Sequence, residues 1–227
     1  AVIHSFSKRQ VSEPIIKKMK ILFDHQIFTA QSVGGISRYF TQIIENLPRY
    51  IYTEIAVKYS DNKYLKQVKT SERIENQYKP IDRFLPNISF WGKNKLFSGI
   101  RKLNPSKYAG CNSYNRALSI KKLIEQDFDI FHPTYYDDYF LNYIGNKPFV
   151  LTVHDMIHEL YPEILNDPLL LERKARLIQL AAHVIAVSEN TKRDIIEILG
   201  IPESKISVVY HANSLEKVIQ DMAVKNR

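Results

Sequence analysis

A single cysteine, Cys111, serves a chain of 227 residues. One thiol excludes an intramolecular disulfide and a zinc cluster built from thiolates, and it suits a reducing compartment. No apolar run approaches the roughly 20 residues that span a bilayer. Residues 1–18 hold two basic pairs, Lys8–Arg9 and Lys17–Lys18, without the apolar stretch or cleavage site of a secretory signal. The expected location is therefore cytoplasmic. Acidic residues are missing between Asp82 and Glu125. Nine basic residues fill that interval: Arg83, Lys93, Lys95, Arg101, Lys102, Lys107, Arg116, Lys121 and Lys122. The formal net charge is +8, so the remainder of the chain stands at −1. A positive segment this concentrated attracts phosphates, acidic polymers or an anionic membrane surface. No nucleic-acid recognition motif accompanies it, and nucleic acid is not an expected partner.

What is present reads as a folded α/β domain. Hydrophobic residues make up 44% and charged residues 25%, which argues against disorder. Met19 precedes KILFD at 20–24, an apolar run with the pattern of a buried strand ending in Asp24. Residues 1–18 are set apart as an N-terminal extension, disordered or left over from cloning. Gly34 and Gly35 open a segment in which Ile36, Tyr39, Phe40, Ile43, Ile44 and Leu47 recur at helical spacing until Pro48. YTEIAV at 52–57 predicts a second strand, 61–110 lacks a clear period, and 113–126 predicts a helix. IFHPTYY carries a short strand ending near Pro133, and PFVLTVHD a strand between Pro148 and Asp155. Asp167, with Pro168 in the first turn, starts a helix to 182. HVIAVS at 183–188 predicts a strand, Ser188 caps a helix over 189–199 that stops at Gly200, and KISVVYH at 205–211 predicts a last strand. Strands alternating with helices imply a Rossmann-like parallel sheet with helices on both faces. Such sheets bind ligands outside the carboxyl ends of their strands, which directs attention to 24–35, 132–136, 154–159 and 188–191.

Four motifs there carry chemistry, each with a bland alternative. The Gly34–Gly35 loop between strand and helix suits a phosphate approaching backbone amides, or is only a turn that starts a helix. A third glycine is missing, so it is not a dinucleotide fingerprint. His154 and Asp155 end an apolar strand, where an imidazole can donate to a sugar hydroxyl or act as acid or base; the alternative is a hydrogen-bonded structural histidine. HDMIH lacks the glutamate placement of a zinc protease helix, so no metal is expected. His132, Tyr135 and Tyr136, followed by two aspartates, suit a sugar acceptor by stacking and hydrogen bonding, or form an ordinary aromatic loop rim. Ser188 makes a sensible helix cap whatever the function.

Together and in this order, KILFDHQIF, GGISRYFTQII, DIFHPTYY, KPFVLTVHDMIHELYPE and HVIAVSENTKRDIIEILGIPESKISVVYH resemble glycosyltransferase family 4, which has the two-domain GT-B fold. The resemblance covers roughly residues 19–212, with 61–110 poorly matched. It implies that 19–212 is the N-terminal, acceptor-side Rossmann-like domain of a retaining enzyme of polysaccharide or glycolipid synthesis. The donor would be a nucleotide-diphosphate sugar and the acceptor a hydroxyl of a sugar or lipid-linked molecule, with no cofactor or metal. Carried over, Gly34 and Gly35 face the donor phosphates, Arg38 the acceptor or phosphate side, and His154 the transferred sugar, with Asp155 beside it. The family's C-terminal donor domain and its paired glutamates have no counterpart here. Residues 213–227 instead read as an amphipathic tail helix with Leu215, Val218, Ile219 and Met222 on one stripe. It is the family's closing helix or a shortened linker. The chain alone is thus expected to be inactive. The alternative is a truncated, non-catalytic module that binds sugar or phosphate.

The acid-free stretch interleaves its cations with Phe84, Phe90, Trp91, Phe97, Tyr108 and Tyr114. That pattern predicts peripheral docking of 83–124 on the anionic inner face of a membrane. The competing reading buries the aromatics beneath a solvated basic face.

Overall fold

The computed structural model describes residues 18–69, 73–105, 107–165 and 167–211. The expected extension (but for Lys18) and the expected tail helix at 213–227 lie outside the described residues.

Among the described residues, six parallel strands form the frame. They are β1 (Met19–Phe23), β2 (Ile51–Ile55), β3 (Ile130–His132), β4 (Val150–Val153), β5 (His183–Ala186) and β6 (Ile206–Val208). They make two three-stranded sheets, β2-β1-β3 and β4-β5-β6. A parallel bridge between Phe131 and Phe149 joins the two, with Phe131 N donating to Pro148 O at 3.0 Å. The strand order reverses between β1 and β3, and a ligand crevice is expected at such a reversal. Phe23 pairs with His132, Val153 with Ala186, and Ala186 with Val208, so the loops that follow β1, β3, β4, β5 and β6 leave from one edge.

The helices are α1 (Gln26–Ala30), α2 (Gly35–Asn46), α3 (Lys93–Leu103), α4 (Cys111–Glu125), α5 (Ile157–Leu160), α6 (Pro168–Leu180) and α7 (Glu189–Leu199). Asp167 Oδ1 accepts from Leu170 N at 3.0 Å and Ser188 Oγ from Thr191 N at 3.0 Å, which caps α6 and α7 as their sequences require. Gly200 closes α7 in the left-handed region, where a side chain is costly.

Alternation along the strands sorts the core into two layers. Phe23 faces α2, packing with Phe28, Tyr39, Phe40 and Ile44. Leu22, Phe131, Leu151, Val153, Val184 and Ala186 join Leu123 of α4, Leu177 and Ile178 of α6 and Ile195 of α7. Helices therefore cover both faces, as right-handed crossovers demand for this strand order.

The irregular reading of 61–110 missed α3. Its sequence, KNKLFSGIRKL, is rich in cations and broken by Gly99. Phe97 is its one buried residue, and a small separate core of Phe84, Phe97 and Tyr108 holds it. Too few apolar side chains reach that core to print a helical period.

Candidate active site

A row of side chains lies on the α2 face of the carboxyl edge. His132 ends β3 and is buried, its ring stacked on Phe23 with centroids 5.4 Å apart. His132 Nε2 and Tyr39 Oη both meet Thr152 Oγ1, at 3.0 and 3.3 Å. Thr152 and His154 alternate onto the same face of β4 and its exit. The His154 ring meets Tyr39 edge-on at 5.1 Å and Phe40 at 6.1 Å. His211, just beyond β6, lies 5.0 Å from Tyr39 and 6.0 Å from His154. Gly34 and Gly35 start α2 one turn before Tyr39, so the glycine loop and His154 share this edge.

Burial sets the charge here. It lowers His154 to about 4, helped by His211 and opposed by Asp155. It lowers His132 to about 3, helped by His154. Both rings are therefore neutral near pH 7. His154 Nε2 is buried and has no hydrogen-bond partner among the described residues. Leaving a buried polar atom unpaired costs about 1–3 kcal/mol, and a ligand hydroxyl that reached it would recover that cost. His211 is exposed and flanks the ring.

Beneath His154 the turn is held from behind. Lys174 of α6 is buried, with side-chain exposure of 1%. Its ammonium donates to Asp155 O at 2.6 Å and to Glu159 Oε2 at 2.9 Å. Asp155 Oδ1 accepts from Ile157 N at 3.2 Å, starting α5. Tyr136 is buried; its hydroxyl donates to Thr152 O at 3.5 Å and accepts from His154 N at 3.3 Å, and burial pushes its pKa far up. Tyr135 packs on Tyr136 at 4.8 Å and borders a small cavity of about 140 Å³ with Asp167 and Arg173.

The sequence-derived candidates thus separate. Gly34, Gly35, His132 and His154 gather around α2. His132 and Tyr136 are buried and bonded to Thr152 and the β4 exit, and Tyr135 and Tyr136 both border the small cavity. Arg38 is exposed on α2. The two aspartates after the tyrosines are engaged by arginines: Asp137 by Arg116 at 2.8 Å, and Asp138 by Arg173 at 3.3 Å and Arg176 at 2.9 Å. Asp24 is buried, accepting from Thr134 Oγ1 at 2.6 Å, Gln26 Nε2 at 2.7 Å and Tyr139 Oη at 3.2 Å. It ties the β1 and β3 exits together. Among the described residues, no three His, Cys, Asp or Glu side chains converge to hold a metal ion.

Sequence reasoning missed Tyr39, Thr152, Lys174 and His211. Tyr39 was legible only as a core position, and Lys174 looks like any surface lysine on a helix. His211 ends a strand as His132 and His154 do, which was the available signal.

A second cavity of about 460 Å³ opens beside the β1 exit, lined by His25, Gln26, Tyr78, Asn112, Arg116 and Asp137 among others. A larger hollow of about 710 Å³, around Lys20, Glu54 and Asp127, lies at the opposite, amino edge of β1 and is crossed by ion pairs.

The glycine loop, the His154 turn and the elements from α2 to β6 fall inside one family match. The model of Glycosyltransferase Family 4 matches residues 33–217. The chain belongs to glycosyltransferase family 4. No curated protein matches it. Family membership assigns a glycosyltransferase-type function, with binding of a sugar donor and acceptor in general. The parallel sheet with helices around it agrees with one half of a GT-B fold.

Proposed function

We propose that this family 4 chain forms the acceptor side of a retaining glycosyltransferase that moves a sugar from a nucleotide-diphosphate sugar to a hydroxyl acceptor in polysaccharide or glycolipid synthesis. The observation that carries this reading is the neutral His154 ring, whose buried Nε2 has no partner among the described residues and which stands beside Tyr39, one turn after the start of α2. A neutral imidazole suits a hydrogen bond to a sugar hydroxyl, because it presents one donor and one acceptor. The start of α2 suits the donor phosphates: its N-cap is Gly34, which carries no capping side chain of its own, Gly35 has open space where a Cβ would stand, and of the first-turn amides Ser37 N is held by Gln31 Oε1 at 3.4 Å. The cavity beside His25, with its amides, Tyr78 and Arg116, offers room for a hydroxylated acceptor. In this reading a second domain holds the nucleotide, Asp155 shapes the turn that aims His154, and no metal takes part.

The test is transfer of radiolabelled sugar, from a panel of nucleotide-diphosphate sugars, by the enzyme carrying a family donor-binding domain. His154→Ala is expected to lower turnover about a hundredfold, the cost of one well-placed polar contact at a transition state. Circular dichroism should stay unchanged. Near-full activity in that variant would make His154 a packing residue and remove the support for this reading.

A further inference from the structure

The acid-free interval is one segment in sequence and two in space. The cations of its flanks are engaged locally, by acids or by tyrosines. Arg116 pairs with Asp137 at 2.8 Å and stacks over Tyr139 at 4.6 Å. Lys122 pairs with Glu54 at 2.7 Å, and Lys121 with Glu125 at 3.8 Å. Burial alone would raise the Glu54 carboxyl, yet Lys122 and Lys20 hold it below the usual carboxylate range. Arg83 lies over the Tyr78 ring at 3.6 Å and donates to Tyr59 Oη at 3.3 Å. The aromatics divide in the same way: Phe84, Phe97 and Tyr108 form the small core, as the bland reading expected.

What remains between 85 and 107 is different. Trp91 is 96% exposed and Leu103 81% exposed. Leu85, Ile88, Phe90 and Leu96 are also exposed. Lys95, Arg101, Lys102 and Lys107 are exposed among them. Leu96 and Leu103 stand two turns apart on one line of α3, with Lys95 and Lys102 two turns apart on the neighbouring line. The loop before α3 is held in shape. Lys93 Nζ donates to Leu85 O at 3.1 Å and Ile88 O at 2.8 Å, and Leu85 and Asn87 both take positive φ, at 47° and 64°. Fixing Leu85 in the left-handed region costs free energy, and here it keeps an apolar side chain at the surface. Large apolar groups left in water and rimmed by charges of one sign mark an interaction surface.

We propose that residues 85–107 dock the chain on an anionic lipid bilayer, with Trp91, Phe90, Ile88 and Leu103 entering the interface and Lys95, Arg101, Lys102 and Lys107 meeting the headgroups. The occupant is argued from complementarity. Cations without a local acid attract an anionic leaflet at about 1 kcal/mol each, and an exposed indole suits headgroup depth. Among the described residues no helix is long and apolar enough to cross a membrane, so the contact is peripheral. The surface includes neither His154 nor the glycine loop and does not depend on the sugar-transfer reading.

Trp91 is the chain's sole tryptophan, so its fluorescence reports this surface alone. The chain is titrated with vesicles of phosphatidylcholine and with vesicles of phosphatidylcholine and phosphatidylglycerol in equal parts. Both emission and co-sedimentation are read. At low salt the anionic vesicles should shift Trp91 emission to the blue and carry the protein into the pellet. Binding should weaken as salt rises and vanish without phosphatidylglycerol. Replacing Lys95, Arg101 and Lys102 together by Gln should weaken vesicle binding about a hundredfold, from about 1 kcal/mol per cation at about 1.4 kcal/mol per decade. Leu103→Ser should weaken it without changing the salt dependence. An unshifted Trp91 with protein left in the supernatant overturns the proposal. So does wild-type binding by the triple variant. A blue shift that grows with protein concentration in the absence of lipid overturns it too, because the surface then meets a second copy of the chain.

Discussion

Lys174→Met should cripple the fold and loosen the His154 turn, although Lys174 touches neither of the cavities at the carboxyl edge. The side chains of Lys174 and Glu159 are 1% and 6% exposed, and their charged atoms are 2.9 Å apart. Removing the ammonium leaves the Glu159 carboxylate buried with Oε1 already unpaired, and strips the donor from Asp155 O. Breaking a buried ion pair from one side costs about 3–5 kcal/mol, a large share of the 5–15 kcal/mol that holds a typical domain. For a chain of this size, that loss lowers the melting temperature by about 10 °C. The assay is urea unfolding followed by circular dichroism, with the His154 ring resonances recorded by NMR at low urea. Lys174→Met combined with Glu159→Met should recover most of the stability, because the pair must also be taken out of water when the chain folds. Recovery of the His154 resonances should be poorer, since Asp155 O still lacks its donor. A single-variant cost below about 1 kcal/mol would refute the reasoning, for it would mean that water reaches Glu159.

Two further outcomes are expected. The folded-state pKa values of His154 and His132, about 4 and about 3, lie below the ordinary value of 6.5. The unfolded chain therefore binds protons first; the stability these groups contribute is present above pH 6.5 and is lost as pH falls toward 4. The unfolding free energy should drop between about pH 7 and pH 5, by up to about 2 kcal/mol for His154 at about 1.4 kcal/mol per unit below 6.5. His154→Ala should flatten that slope, and an unchanged slope would mean the ring titrates normally. At the glycine loop, Gly35→Ala meets nothing within 4 Å and should leave stability unchanged or raise it by up to about 1 kcal/mol, while sugar transfer falls if phosphates approach there. Gly34→Ala would overlap the Gln31 carboxamide, which accepts from Ser37 N at 3.4 Å, and should destabilise. Equal unfolding midpoints for the two variants would contradict this contrast.

The strand and helix order was legible in the sequence because each element carries its own local signal. Asp167 and Ser188 cap their helices, Gly200 stops one, and apolar strands end at Asp24, His132 and His154. From these followed a parallel sheet and the family. Helices α1 and α5, of five and four residues, were too short to show a period. Only the tertiary structure decided what the named residues touch. His132 and Tyr136 were expected at an acceptor; His132, at the end of β3, meets Thr152 Oγ1, and Tyr136, in the loop beyond it, meets Thr152 O and His154 N, contacts between residues that are far apart along the chain. The burial of Lys174 was invisible, since a lysine in a helix pattern reads as surface until its partner, 15 residues away, is folded against it. The acid-free interval gave the same lesson with the opposite sign. Absence of acids along the chain said nothing about Glu54 and Asp137, which folding brings to Lys122 and Arg116. Charge is summed over space, and the sequence orders residues along a line. That is why the basic stretch was readable at once, and why only folding could show that Arg116, Lys121 and Lys122 meet acids while Lys95, Arg101, Lys102 and Lys107 stand exposed in the same segment as Trp91 and Leu103.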